Sequence, residues 1–97
     1  MSRPAARVGD LTVTGDPITG PGAPNVLIGG MPAARLGDLV SGAACVGAIT
    51  LGSGTVMIAG QPAARVGDAV SGAHPASGVT VATTVAPPAA ATVLIGG

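Results

Sequence analysis

The sequence predicts a small, mostly β protein in which three hairpin repeats surround a pseudo-threefold axis and form a cone. A heptapeptide, Pro-Ala-Ala-Arg followed by Val or Leu, Gly and Asp, occurs at residues 4–10, 32–38 and 62–68. An apolar element, Val-Leu-Ile-Gly-Gly or Val-Met-Ile-Ala-Gly, occurs the same number of times. Helical periodicity is weak along the whole chain, which leaves strands and turns. Repeats of this kind indicate one structural unit copied along the chain.

The apolar element and the heptapeptide together predict a β-hairpin. Residues 26–28 and 56–58 have the pattern of short buried strands, and Gly29 and Gly30 favour the positive φ angles of a tight turn. The heptapeptide then returns as the second strand. The third copy is split, because its apolar element lies at residues 93–97 while its heptapeptide lies near the start of the sequence. We therefore predict that the C-terminal strand pairs with the N-terminal strand, which closes a ring and places the termini side by side.

Three connections separate the hairpins, at residues 11–25, 39–55 and 69–92. They are rich in Gly, Thr, Ser, Pro and Val, and the alternation at residues 79–81 predicts further short strands. The Ala-rich stretch 85–91 contains two prolines, which disfavour a helix. We predict that this stretch is an extended surface segment.

The length of 97 residues leaves room for one domain. We predict a single domain over residues 1–97, with repeats at approximately 1–30, 31–60 and 61–97 and no effector extension. The chain contains no Phe, Trp or Tyr, so its core must be built from smaller aliphatic side chains. A chain this short buries a modest core, and a free monomer is expected to be marginally stable.

Charge is sparse, and this excludes several classes of function. The sequence contains four Arg and four Asp but neither Lys nor Glu, which argues against nucleic-acid binding and against a phosphate-binding loop with an essential Lys. It predicts no transmembrane segment and no signal peptide, so the protein is expected to be cytoplasmic when made. In each heptapeptide Arg and Asp are three residues apart, and we predict structural ion pairs or turn-capping carboxylates there.

The repeated Pro-Ala-Ala-Arg motif followed by Gly-Asp, together with Val-Leu-Ile-Gly-Gly, resembles the PAAR-repeat family over nearly the whole chain. The resemblance implies a conical protein that sits, one copy per trimer, on the trimeric β-helical spike of a type VI secretion system or a related phage-tail-like particle. It implies a structural role in membrane puncture, with transient contact with the target membrane. It also implies that the protein is assembled in the cytoplasm and then carried outward at the tip of the apparatus. The alternative within the same machine is an adaptor that mainly recruits effector cargo, with residues 69–92 as the candidate contact.

The resemblance also implies a metal ion, zinc, near the apex of the cone. Asp16 and His74 lie at the sixth position after the Asp of their heptapeptides, and Cys45 lies one residue beyond that position in its own repeat. These three residue types are zinc ligands, and a site needs three or four of them. The competing interpretation is that Cys45 is a small buried apolar residue, His74 a loop residue and Asp16 a turn former. A remote alternative is a small enzyme in which Cys45 is the nucleophile, His74 the base and Asp16 its orienting group.

Overall fold

The structure, a computed structural model, describes residues 3–86 and 89–95, and within these ranges the chain consists of short strands joined by turns and loops, with no helix. The molecule measures 35 × 24 × 24 Å along its principal axes. Nothing in the described ranges is a helix that could cross a membrane. The strands are β1 (Arg3–Ala5), β2 (Ile18–Gly20), β3 (Ala23–Ile28), β4 (Met31–Ala33), β5 (Leu39–Ser41), β6 (Val46–Ile49), β7 (Met57–Ile58), β8 (Gln61–Pro62), β9 (Ala69–Ala73), β10 (Thr80–Thr84) and β11 (Ala90–Ile95).

Three two-stranded hairpins form one end of the molecule, which we call the base. They are β3–β4, β7–β8 and the split hairpin β11–β1. In the split hairpin Arg3 lies opposite Ile95 and Pro4 lies opposite Leu94, which confirms the predicted pairing of the two ends of the sequence. Gly29 and Gly30 have φ angles of 59° and 83°, as the predicted tight turn requires.

A closed ring of backbone hydrogen bonds joins the three repeats. The amide of Ala6 donates to the carbonyl of Ala64, Ala64 donates to Ala34, and Ala34 donates back to Ala6, each over 3.0 Å. These three alanines are 0–1% exposed, so the three backbone segments approach each other too closely for a larger side chain. The small second Ala of each heptapeptide is therefore explained by the threefold axis on which the repeats converge.

Two apolar layers form the core, and the alanine ring belongs to the upper one. The base layer contains Ala5, Ala23, Ile28, Ala33, Ile58, Ala63 and Ile95, and the upper layer contains Ala6, Ile18, Ala34, Val40, Ile49, Ala64, Val70 and Val85. Each layer takes equivalent residues from the three repeats, which confirms the pseudo-threefold architecture. Burial of aliphatic side chains such as these stabilises a fold by about 1.5–3 kcal/mol each.

The upper layer corrects one expectation from the sequence. Val85 is fully buried and holds the place that Ile18 and Ile49 hold in the other repeats. Its carbonyl accepts the amide of Gly67 and its amide donates to Asp68, so the stretch 85–91 is not a surface segment at its start. A threefold core needs a branched side chain from each repeat at this level, and Val85 supplies the third one beside Ile18 and Ile49. Residues 87 and 88 of the same stretch lie outside the described residues.

The three connections form a second tier above the alanine ring. Strands β10, β9, β6, β5 and β2 pair in that order into one antiparallel sheet, which confirms the further short strands predicted in these connections. Thr12 pairs with Val85, and the amide of Val13 donates to the carbonyl of Thr84. The first connection therefore bonds to β10 at the far edge of the sheet. We call the end of this tier away from the base the apex.

One turn in the base carries backbone strain that a single substitution can test. Ala59 has a φ of 49°, while the equivalent position in the hairpin of the first repeat is Gly29. A left-handed conformation costs a non-glycine residue about 1–2 kcal/mol. Replacing Ala with Gly removes this cost, but part of the gain is lost because Gly has greater conformational freedom in the unfolded chain. We expect Ala59→Gly to raise the free energy of unfolding by about 0.5 kcal/mol in urea titrations. Gly29→Ala is the matched control and should lower it, and the opposite order would contradict the strain.

Candidate functional site

Three equivalent apolar side chains are exposed on the base. Leu27, Met57 and Leu94 are 61%, 59% and 60% exposed, and we call them the base triad. Each lies directly opposite the proline of a heptapeptide in its hairpin, so all three occupy the same register position. The pleat explains their exposure, because the next residue in each strand turns inward into the base layer. The base therefore presents three matched apolar contacts around one axis.

Further partly exposed apolar side chains lie on the same hairpins. Val26, Val93 and Met31 are each a little over one-third exposed, while Gln61 takes the place of Met31 in the next repeat. Isolated apolar residues are ordinary on a protein surface, but a contiguous apolar patch indicates a contact surface. Buried strands were predicted over residues 26–28 and 56–58, and the exposure of Leu27 and Met57 corrects that prediction. The exposure of the base triad was predictable from strand geometry, because the middle residue of each triplet, Val-Leu-Ile or Val-Met-Ile, faces opposite to its two neighbours.

The predicted Arg–Asp pairs are present and structural. In each heptapeptide Asp Oδ2 accepts the backbone amide of the Arg three residues before it, at 2.7–2.8 Å. The Arg Nη2 lies 3.0 Å from Asp Oδ1 in the first and third repeats and 3.8 Å away in the second. The hydrogen bond from Arg7 to Asp10 raises the pKa of the Arg7 guanidinium, although burial opposes this shift. These carboxylates cap turns and hold the heptapeptides in shape.

The third pair is the most buried and has an additional partner. Arg65 and Asp68 have side chains only 4% and 2% exposed, against 23% and 13% for Arg7 and Asp10. Arg3 also donates to Asp68 Oδ1, at 3.0 Å. Sequence reasoning missed this contact because Arg3 lies outside the heptapeptide and reaches Asp68 only through ring closure.

Asp16 lies buried in the turn of the first connection and is surrounded by hydrogen-bond donors. Its Oδ1 accepts the backbone amides of Ala44 and Cys45, both at 3.0 Å. Its Oδ2 accepts the hydroxyls of Thr12 and Thr14. Burial alone would raise the pKa of Asp16, but these hydrogen bonds to the carboxylate outweigh burial and lower the pKa below its ordinary value.

The structure brings two of the three predicted metal ligands together. Cys45 is fully buried and its amide contacts Asp16, while burial and the nearby Asp16 charge raise the pKa of its thiol. His74 is half-buried at the end of β9, and its Nδ1 accepts the amide of Ala76 at 3.2 Å. Among the described residues no group of three or more His, Cys, Asp or Glu is arranged to hold a metal ion.

The donor chemistry of these residues therefore does not fit a zinc site. A carboxylate has about four lone-pair positions, and protein donors already occupy that number on Asp16. Asp16 thus has the geometry of a structural carboxylate.

Comparison with protein families identifies the repeated motif. The sequence matches the PAAR motif family over residues 8–74, which is more than half of the chain. No individual curated protein matches it at a significant level. The matched span contains the whole second and third heptapeptides and extends to His74. The chain therefore belongs to the PAAR motif family, which is associated with the spike tips of type VI secretion systems.

Proposed function

We propose that this chain is a structural cap for the tip of a trimeric β-helical spike, one copy per trimer, in a contractile injection machine. The observation that carries this proposal is the base triad, which gives a single chain three matched apolar contacts around one axis. In the proposed complex the base lies on the spike and the apex leads through the target membrane, with transient contact.

The symmetry of the base explains how one chain could bind three subunits. A threefold-symmetric partner offers three copies of one surface, and a monomer with three equivalent hairpins can meet each copy in the same way. Apolar contacts without charge suit a stable interface, because obligate interfaces resemble a domain core cut in two. The base triad and the partly exposed Val26, Met31 and Val93 beside it are apolar, while Arg3 in strand β1 carries a charge that is paired with Asp68.

The test is co-expression with the β-helical spike protein encoded in the same genome, followed by native mass spectrometry. We expect one copy of the wild-type chain per spike trimer. The triple variant Leu27→Asp, Met57→Asp, Leu94→Asp should lose at least about 100-fold in affinity, since charge would be buried against apolar surface. The matched control carries Val13→Asp, Val46→Asp and Val79→Asp, which replace exposed residues of the upper tier.

The control variant should bind the spike like the wild type. Equal binding by the base-triad variant would contradict the proposed docking face, provided that its circular dichroism spectrum shows the wild-type fold. Failure of the wild-type chain to bind any spike trimer would contradict the proposed function itself.

An adaptor that loads effector cargo is the second candidate. The loop between β9 and β10 favours it, because residues 75–78 are exposed at the end of the longest hairpin. The same co-expression separates the two functions when cargo is measured alongside the spike. Cargo lost from the upper-tier control but retained by the base-triad variant would favour the adaptor.

We propose a non-catalytic role for Cys45 and His74. A nucleophilic cysteine needs access to substrate and a lowered pKa, whereas Cys45 is fully buried and its thiol pKa is raised by burial and by Asp16. No pocket for a substrate is present in the part of the chain that the structure describes.

A further inference from the structure

We propose that the buried carboxylate of Asp16, and not a metal ion, joins the first and second repeats at the apex. We call Asp16 with its donors Thr12, Thr14, Ala44 and Cys45 the carboxylate clasp. This inference concerns how the apex holds together and is independent of what the base binds. It rests on four hydrogen bonds, one close backbone approach and the separate position of His74.

The donors come from two different repeats. Thr12 and Thr14 belong to the same connection as Asp16, and their hydroxyls both reach Oδ2. Ala44 and Cys45 belong to the second connection, and their amides both reach Oδ1. One carboxylate therefore joins two repeats. Hydrogen bonds to a charged acceptor are about twice as strong as bonds between neutral groups.

The second repeat is shaped to admit the carboxylate. The amide of Gly42 donates to the carbonyl of Cys45 at 3.0 Å, which closes the turn that presents the two amides. A Cβ atom at position 42 would overlap Asp16 Oδ1 and lie 2.8 Å from its Cα atom. Only glycine fits this approach, so the turn packs directly on Asp16.

The same hydrogen bonds leave no free lone pair on the Asp16 carboxylate with which to bind a metal ion. Zinc would have to displace donors that are already bound to both carboxylate oxygens of Asp16. His74 lies in a different hairpin, where its own amide bonds to Val79 and its Nδ1 accepts the amide of Ala76. Among the described residues no third ligand completes a site with Asp16 and Cys45.

The first test is thermal unfolding of the full-length protein before and after dialysis against a chelator, with metal content measured on the same samples. We expect no stoichiometric metal and the same melting temperature before dialysis, after it, and after zinc is added back. Stoichiometric zinc whose removal lowers the melting temperature would overturn the proposal.

Variants then distinguish the clasp from a metal site. Thr14→Val removes a donor to Asp16 but no metal ligand, and Thr14 is exposed, so the variant should fold. We expect a loss on the order of 5–10 °C in melting temperature, with Thr55→Val as the matched exposed control that changes little. His74→Asn removes the imidazole but keeps an acceptor for Ala76, and we expect it to melt like the wild type. A stable Thr14→Val together with a destabilised His74→Asn would also refute the clasp.

Discussion

Replacing Gly47 with alanine is expected to lower the free energy of unfolding by about 3 kcal/mol or more, at the upper end of the cost of overpacking. A Cβ atom there would overlap the carbonyl oxygen of Ser71 and lie 2.6 Å from the Cα atom of Gly72. These are backbone atoms of the paired strand β9, so no side-chain rotation can relieve the contact. Urea unfolding monitored by circular dichroism measures the loss.

Two further variants control this result. Gly72→Ala approaches β6 from the opposite side and should be as destabilising, since its Cβ would meet the backbone of Val46 and Gly47. Gly54→Ala meets open space and should change the free energy of unfolding by no more than about 0.5 kcal/mol. If Gly47→Ala behaves like Gly54→Ala, strands β6 and β9 do not approach as closely as described.

Replacing Asp68 with alanine should cost about 3–5 kcal/mol of unfolding free energy, because it leaves a buried guanidinium without its carboxylate. Asp68 accepts two side-chain hydrogen bonds and a backbone amide from Arg65, and a further bond from Arg3. The Nη2 of Arg65 also donates to the carbonyl of Gly52, over 3.4 Å. Urea titration at neutral pH provides the measurement.

The internal repeat supplies the control for this variant. Asp10→Ala breaks the same pair in the first repeat, where Arg7 and Asp10 are more exposed and solvent can hydrate the remaining charge. We expect its cost to be smaller by at least about 1 kcal/mol. Equal costs would mean that burial of the third pair and its contact with Arg3 add no stability.

The sequence was sufficient to predict the repeated hairpins, the split copy and the Arg–Asp pairs. Their signals are local, since a positive φ at Gly29 or a carboxylate three residues after an Arg depends on neighbours in the chain. The pairing of Arg3 with Ile95 was predictable because the missing parts of the third copy lie at the two ends of the sequence. The assignment to a mostly β fold with three equivalent units followed from the same patterns.

The role of Asp16 could not be predicted in this way. Its position after the first heptapeptide suggested a ligand or a turn former, but two of its four donors are backbone amides of another repeat. Backbone amides have no signature in the sequence, so only the three-dimensional fold shows that the carboxylate is saturated. The alternation Thr12, Thr14, Asp16 was the one available signal for the other two donors. Val85 was misassigned for a related reason, since an Ala- and Pro-rich neighbourhood concealed its equivalence to Ile18 and Ile49.

Closure of the alanine ring has a consequence for how the protein folds during synthesis. In an open array of repeats, each new unit can pack on the one already folded, so structure can grow from either end. Here strand β1 is translated before every other strand of the fold and its partner β11 after them, and the carbonyl of Ala6 has no amide donor until Ala34 of the second repeat is present. Pairing of the most distant segments is slow because the whole chain must be brought together first. The ring therefore assembles as one cooperative event only once residues 90–95 have been translated, and a nascent chain that stalls before them leaves an unpaired strand that invites association with other chains.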